Sequence, residues 1–144
     1  MKRAPRVLIV DDEPDVLLLL RIELEAEGYE TLLAADGQTA LRRIAEERPD
    51  VVLLDVMMPV VDGWGVLQRL ADQRSTARVI VLSAKATESD VVHALELGAQ
   101  EYVTKPFEPA ALLVTVAHVL HSTPADLEAG RRRRLEQLAR ARSF

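Results

Sequence analysis

Five side chains in this 144-residue sequence belong to types that perform phosphoryl chemistry when they are gathered. They are Asp11 and Asp12 in "VDDEP", Asp55 closing "VVLLD", Ser83 in "VLSA" and Lys105 in "TKPF". Carboxylates together with water are hard oxygen ligands that suit Mg²⁺ or Mn²⁺. An aspartate beside such an ion can attack phosphorus and become an aspartyl phosphate. The ion, a Lys ammonium and a Ser hydroxyl would then spread the charge of the transferring group. Each residue alone also has a plain structural reading. An acidic pair after a strand is usually a turn or helix cap, and an Asp after an apolar run usually starts a loop. Asp55 is the sharpest case, because a charge at the end of a buried strand costs several kcal/mol unless something meets it.

Whether the five meet depends on the elements that carry them. "RVLIV" (6–10), "ETLLAA" (30–35), "VVLL" (51–54), "RVIVL" (78–82) and "EYVT" (101–104) read as strands. Amphipathic stretches lie between them at 14–27, 38–47, 64–71, 89–97 and 109–120, with Gly28 and Gly98 as stop signals. Five such units with continuously apolar strands predict an α/β fold, a parallel sheet covered by helices on both faces. Right-handed crossovers favour a doubly wound order. The residues just past the C-terminal strand ends then share one crevice, and all five candidates sit at such ends. Asp62-Gly63 reads as a turn before the third helix, and Trp64 as a packing or surface aromatic placed to report on Asp55 by fluorescence.

Composition narrows the class. A hydrophobic content of 49% with 28% charged residues is ordinary for a soluble globular domain. No apolar run approaches the roughly 18 residues needed to span a bilayer, so no membrane insertion is expected. With no cysteine, disulfides and thiolate metal sites are excluded, which fits a cytoplasmic location. Residues 1–121 hold 12 Lys/Arg against 20 Asp/Glu, whereas 122–144 hold 6 Arg against 3 Asp/Glu. The acidic body gives no support for direct nucleic-acid binding.

The motifs "VLIVDDEPDV", "PDVVLLDVMMPVVDGWGVL", "VIVLSA" and "GAQEYVTKPF" resemble the receiver domain of bacterial two-component response regulators over about residues 5–121. The resemblance implies a flavodoxin-like strand order 2-1-3-4-5. It also implies that Asp55 accepts a phosphoryl group from a phosphohistidine of a histidine kinase or histidine phosphotransfer protein. Asp12 matches the direct metal ligand, Asp11 the partner acting through water, and the Met57 backbone carbonyl the remaining protein ligand. Ser83 and Lys105 match the pair that engages the phosphoryl group. Tyr102 matches the aromatic that turns inward when Ser83 moves, although an ordinary half-exposed strand aromatic is the other reading. The Lys105-Pro106 bond is expected to be cis. Met57 and Lys85 match the positions that tune aspartyl-phosphate hydrolysis. Met57 cannot orient water, so a phosphoryl lifetime of minutes or longer is expected.

The domain expectation is a receiver over 1–121 and a basic helical tail or linker over 122–144. Thr123 is placed to cap a new helix with Pro124 at its first position and Asp126 three residues on. "RRRR" is open to three readings: a solvated face, a signalling or dimerising helix using Leu127, Leu135 and Leu138, or nucleic-acid contact. The similar winged-helix regulators dimerise through salt bridges on the face of the fourth helix, fifth strand and fifth helix. Gln100-Glu101 and the cation-poor fifth helix depart from that pattern, so the exposed apolar side of the fifth helix is expected to dock a partner or the tail. Output therefore falls to an unknown protein or a homodimer. The chain is either a single-domain regulator or the receiver of a longer one with a cyclase or DNA-binding output. An Asp-nucleophile phosphohydrolase similar to the haloacid dehalogenases is the competing enzyme reading. It is disfavoured because Met57 stands where that chemistry places an acid.

Overall fold

The structure is a computed structural model that describes residues 3–57, 62–84 and 87–141. Five strands alternate with helices: β1 Arg6–Val10, α1 Pro14–Ala26, β2 Glu30–Ala34, α2 Gly37–Glu47, β3 Val51–Asp55, α3 Gly63–Asp72, β4 Val79–Ser83, α4 Glu88–Glu96, β5 Glu101–Thr104, α5 Pro109–His121 and α6 Pro124–Ala141. The sheet is parallel with order β2-β1-β3-β4-β5, the doubly wound order expected. β1 and β5 have the bounds read from the sequence. β4 instead starts and ends one residue later than its apolar run, which brings Ser83 into the ladder opposite Thr104.

Alternation along the strands sorts the core into two layers. Val10, Val52, Leu54 and Val81 face α2, α3 and α4, where Ile44 and Leu67 pack against them. Ile9, Leu53 and Leu82 face the other way, toward Leu20 and Leu24 of α1 and Val116 of α5. This explains the unbroken run "VVLL": β3 lies at the centre of the sheet and is buried on both faces, so it has no polar side to show.

Caps set the helix bounds. Asp36, Asp62 and Thr87 each accept a backbone N–H three residues on, opening α2, α3 and α4. Gly28 and Gly98, at φ +91° and +104°, close α1 and α4 in the left-handed region that favours glycine. Thr123 Oγ1 accepts from Asp126 N at 3.1 Å, so the cap expected for α6 forms. The start of α6 is held from below by Arg78, whose Nη1 donates to the carbonyls of Val119, Leu120 and Ser122 at 2.7, 3.0 and 2.8 Å. α6 turns back and packs along α4, burying Leu127. Of the two occupants expected for the exposed apolar side of the fifth helix, a partner or the tail, the tail packs on α4 instead. Val114 of α5 stays 70% exposed, because the anchored α5–α6 junction directs α6 toward α4.

Candidate phosphoacceptor site

The crevice forms where β1, β3, β4 and β5 end side by side. Asp11 follows β1, Asp55 is the last residue of β3, Ser83 the last of β4, and Lys105 follows β5. Asp11, Asp55 and Ser83 are buried, whereas Asp12 is exposed at the mouth. One carboxylate oxygen from each of Asp11, Asp12 and Asp55 lies within 4.8 Å of the others. Three hard oxygens at that separation, two in the protein and one facing solvent, form a donor set that fits a divalent cation keeping some of its water.

Lys105 answers the buried charge. Its Nζ donates to Asp11 Oδ2 at 2.7 Å and lies 3.4 Å from Asp55 Oδ2. Asp11 rather than Asp55 is thus its nearer partner. The other oxygens are met from the backbone, Asp55 Oδ1 by Met57 N and Asp11 Oδ1 by Glu13 N, each at 2.9 Å. The Lys105-Pro106 peptide is cis, and Lys105 N donates to Ser83 O at 2.7 Å, which ties the β5 end to the β4 end.

The charges are not balanced. Burial pushes the Asp55 carboxyl above its ordinary range, and the Asp11 charge adds to this. The Met57 N–H and Lys105 oppose the rise without cancelling it. Burial alone would lower Lys105, but the hydrogen bond and charge of Asp11, then those of Asp55, outweigh it and hold the ammonium above its usual range. Two buried carboxylates share one ammonium, and a divalent cation would relieve the excess.

The remaining expected residues are placed as follows. Tyr102 is buried and shares a side-chain hydrogen bond with Ser83; burial raises its hydroxyl pKa. Met57 stands 48% exposed beside Asp55. Lys85 lies outside the described residues. Trp64 of α3 stacks at 4.9 Å on His93 of α4, tilted by 35°, rather than on the crevice.

Sequence reasoning read Asp62-Gly63 as a turn before the third helix and gave Gly63 no role in the site. It is the first residue of α3, not part of a free turn, with Asp62 as its cap. A Cβ built there would lie 2.3 Å from both Asp55 O and Val56 Cα. Only glycine lets α3 start this close to the backbone that aims Asp55. The available signal was a glycine opening an apolar helical run directly after an Asp cap.

A doubly wound sheet carrying three carboxylates, a lysine and a serine at its C-terminal edge defines a response-regulator receiver. This chain belongs to that family, since the family model described as "Response regulator receiver domain" matches residues 7–117. It is 42% identical over 115 residues to the alkaline phosphatase synthesis transcriptional regulatory protein PhoP of Bacillus subtilis, covering 80% of this chain and 48% of that protein. It is 52% identical over 101 residues to the transcriptional regulatory protein KdpE of Mycobacterium tuberculosis, covering 70% and 44%. The chain spans about half the length of these curated relatives. The CheY-like response regulator receiver domain protein of Methanospirillum hungatei superposes with a TM-score of 0.77 at 31% identity, over 82% of this chain and 94% of that one. Among the described residues, no helix is long and apolar enough to cross a membrane.

Proposed function

We propose that this chain is a phosphoacceptor switch. Asp55 takes a phosphoryl group from a phosphohistidine of a histidine kinase or histidine phosphotransfer protein. Binding to an output partner then changes through the α4–β5–α5 face. The observation that carries the reading is the Lys105 ammonium held between Asp11 at 2.7 Å and Asp55 at 3.4 Å at the edge of the carboxylate cluster.

In the transfer, an Asp55 oxygen bonds to phosphorus as the P–N bond breaks, and the electron pair returns to the imidazole nitrogen. Asp12, Asp11, Asp55 and the Met57 carbonyl would hold Mg²⁺ or Mn²⁺, which would supply positive charge to the transferring group. Lys105 shifts from a partner of two carboxylates to a partner of the phosphoryl oxygens. The Ser83 hydroxyl donates to the same group, and Tyr102 follows Ser83. Met57 beside the acceptor, and Lys85, tune how fast water removes the phosphoryl group. The chain catalyses only its own uptake and this slow hydrolysis, in the cytoplasm where its donor resides.

Incubation with acetyl phosphate or phosphoramidate and Mg²⁺ should add one phosphoryl group by intact mass. Mg²⁺-dependent uptake that survives in Asp55→Asn would sink the assignment. A second reading is favoured by the greater length of the curated relatives, which makes residues 1–121 the receiver of a longer regulator. Reading the gene beyond Phe144 decides between the two.

A further inference from the structure

α6 is a basic helix laid against an acidic neighbour. α4 carries Glu88, Asp90 and Glu96, and β5 opens with Glu101. Three residues of α6 at positions i, i+4 and i+7 anchor the contact, and Leu135 lies half-buried near Val92 and Glu96 of α4. Leu127 is buried, Arg131 Nη1 donates to Leu95 O at 2.9 Å, and Arg134 Nη1 lies 3.4 Å from Glu101 Oε2. Leu95 is in the last turn of α4, where a cation is favoured, and its carbonyl also accepts from Gly98 N at 3.0 Å. Glu101 immediately precedes Tyr102. α6 therefore lies over α4 and the start of β5, a large part of the face proposed to carry output.

The seat is incomplete. A cavity of about 90 Å³ remains where α6 crosses α4, β5 and α5, bordered by Gln100, His118, Leu127 and Gly130. Gln100 Oε1 is buried there without a hydrogen-bond partner. Gly130 is the seventh of the 18 residues of α6, and a Cβ there would meet nothing nearer than an Arg133 side-chain nitrogen at 3.9 Å. A helix with a single buried leucine, over an unpaired acceptor and with a glycine in its interior, is one that a competitor can displace.

We infer that α6 is an in-cis occupant of the α4–β5 face, and that a partner reaches this face by replacing it with an amphipathic helix carrying leucine and arginine at the spacing of Leu127, Arg131 and Arg134. The inference rests on the reading of that face as the output surface. It also gives "RRRR" a division of labour: Arg131 and the half-exposed Arg134 reach receiver oxygens, while Arg132 pairs with Glu128 of its own helix.

The test uses the full chain and a variant carrying Arg131→Ala and Arg134→Ala, which leaves the receiver side of the contact intact. The probe is a fluorescein-labelled peptide of residues 124–141 followed by anisotropy. The peptide should bind the variant at least ten-fold more tightly than the wild type, because the wild-type site is already filled. Backbone amides of 127–135 should exchange at least ten-fold more slowly in the wild type. Exchanging Arg134→Glu with Glu101→Arg in one chain should keep the slow exchange, which Arg134→Glu alone loses. One exchange rate in both chains, or a peptide that does not prefer the variant, would overturn the inference. Phosphoryl uptake on Asp55 by intact mass is independent of α6, so its loss would fault the switch reading instead.

Discussion

Asp55 is held in tension by its surroundings, and two substitutions make this measurable. Its carboxyl pKa is raised in the fold, so the folded chain binds its proton more tightly than the unfolded chain does. The stability tied to that proton is present at low pH and lost as pH rises through the folded pKa. At neutral pH without metal, the ionised group therefore works against the fold. Asp55→Asn should melt higher than wild type at pH 7 in EDTA, and the gain should vanish as pH falls below about 4, the ordinary Asp range. A lower melting temperature at pH 7 would contradict the arrangement described. Gly63 is the geometric counterpart. A Cβ 2.3 Å from the Asp55 carbonyl oxygen forces α3 or the β3 end to move. Gly63→Ala should cost about 1–3 kcal/mol, the usual overpacking range, and should slow phosphoryl uptake. Denaturant melts and intact mass check the two parts separately.

At the scale of elements, α6 offers the clearest prediction. Gly130 has a helical neighbourhood and open space for a methyl group. Gly130→Ala should stabilise the chain by about 0.5–1 kcal/mol, read as a raised urea midpoint with an unchanged slope. Most element bounds were legible because local chemistry sets them: Pro at the first turn of α1, α5 and α6, glycine after α1 and α4, and the Thr123 cap. The site residues were legible because each stands at or just past the end of a strand-like run, and a parallel sheet brings such positions to one edge. Three features were not legible. The close approach of Gly63 to the end of β3 is a contact between segments, which the local Asp-Gly pattern hints at but does not locate. The packing of α6 on α4 depends on Arg78 gripping three carbonyls about 40 residues away in sequence, at Val119, Leu120 and Ser122. The preference of Lys105 for Asp11 over Asp55 depends on the direction of its approach from the end of β5.

For the whole molecule, folding gathers charge that the unfolded chain keeps apart. Asp11, Asp12 and Asp55 come within 4.8 Å only in the fold, so Mg²⁺ should bind the folded state alone. Mg²⁺ should therefore raise the melting temperature, by about 2.7 kcal/mol of stability at a hundred-fold excess over its Kd. The shift should shrink in Asp12→Asn; an unshifted melt in the wild type would contradict the site. On the other side of the molecule, the acidic body and basic tail meet where α6 crosses α4 and β5. The same charge asymmetry visible in composition is thus used within one chain.

The central claim is that the convergence of side chains at the sheet edge makes Asp55 the acceptor. Treatment with phosphoramidate and Mg²⁺, followed by borohydride reduction and peptide mapping, tests this most directly. Reduction converts an aspartyl phosphate into homoserine and leaves free aspartate untouched. The account predicts homoserine at position 55 alone, and none when EDTA replaces Mg²⁺. Homoserine at another aspartate, or an unmodified Asp55 in a chain that has gained a phosphoryl group, would contradict it.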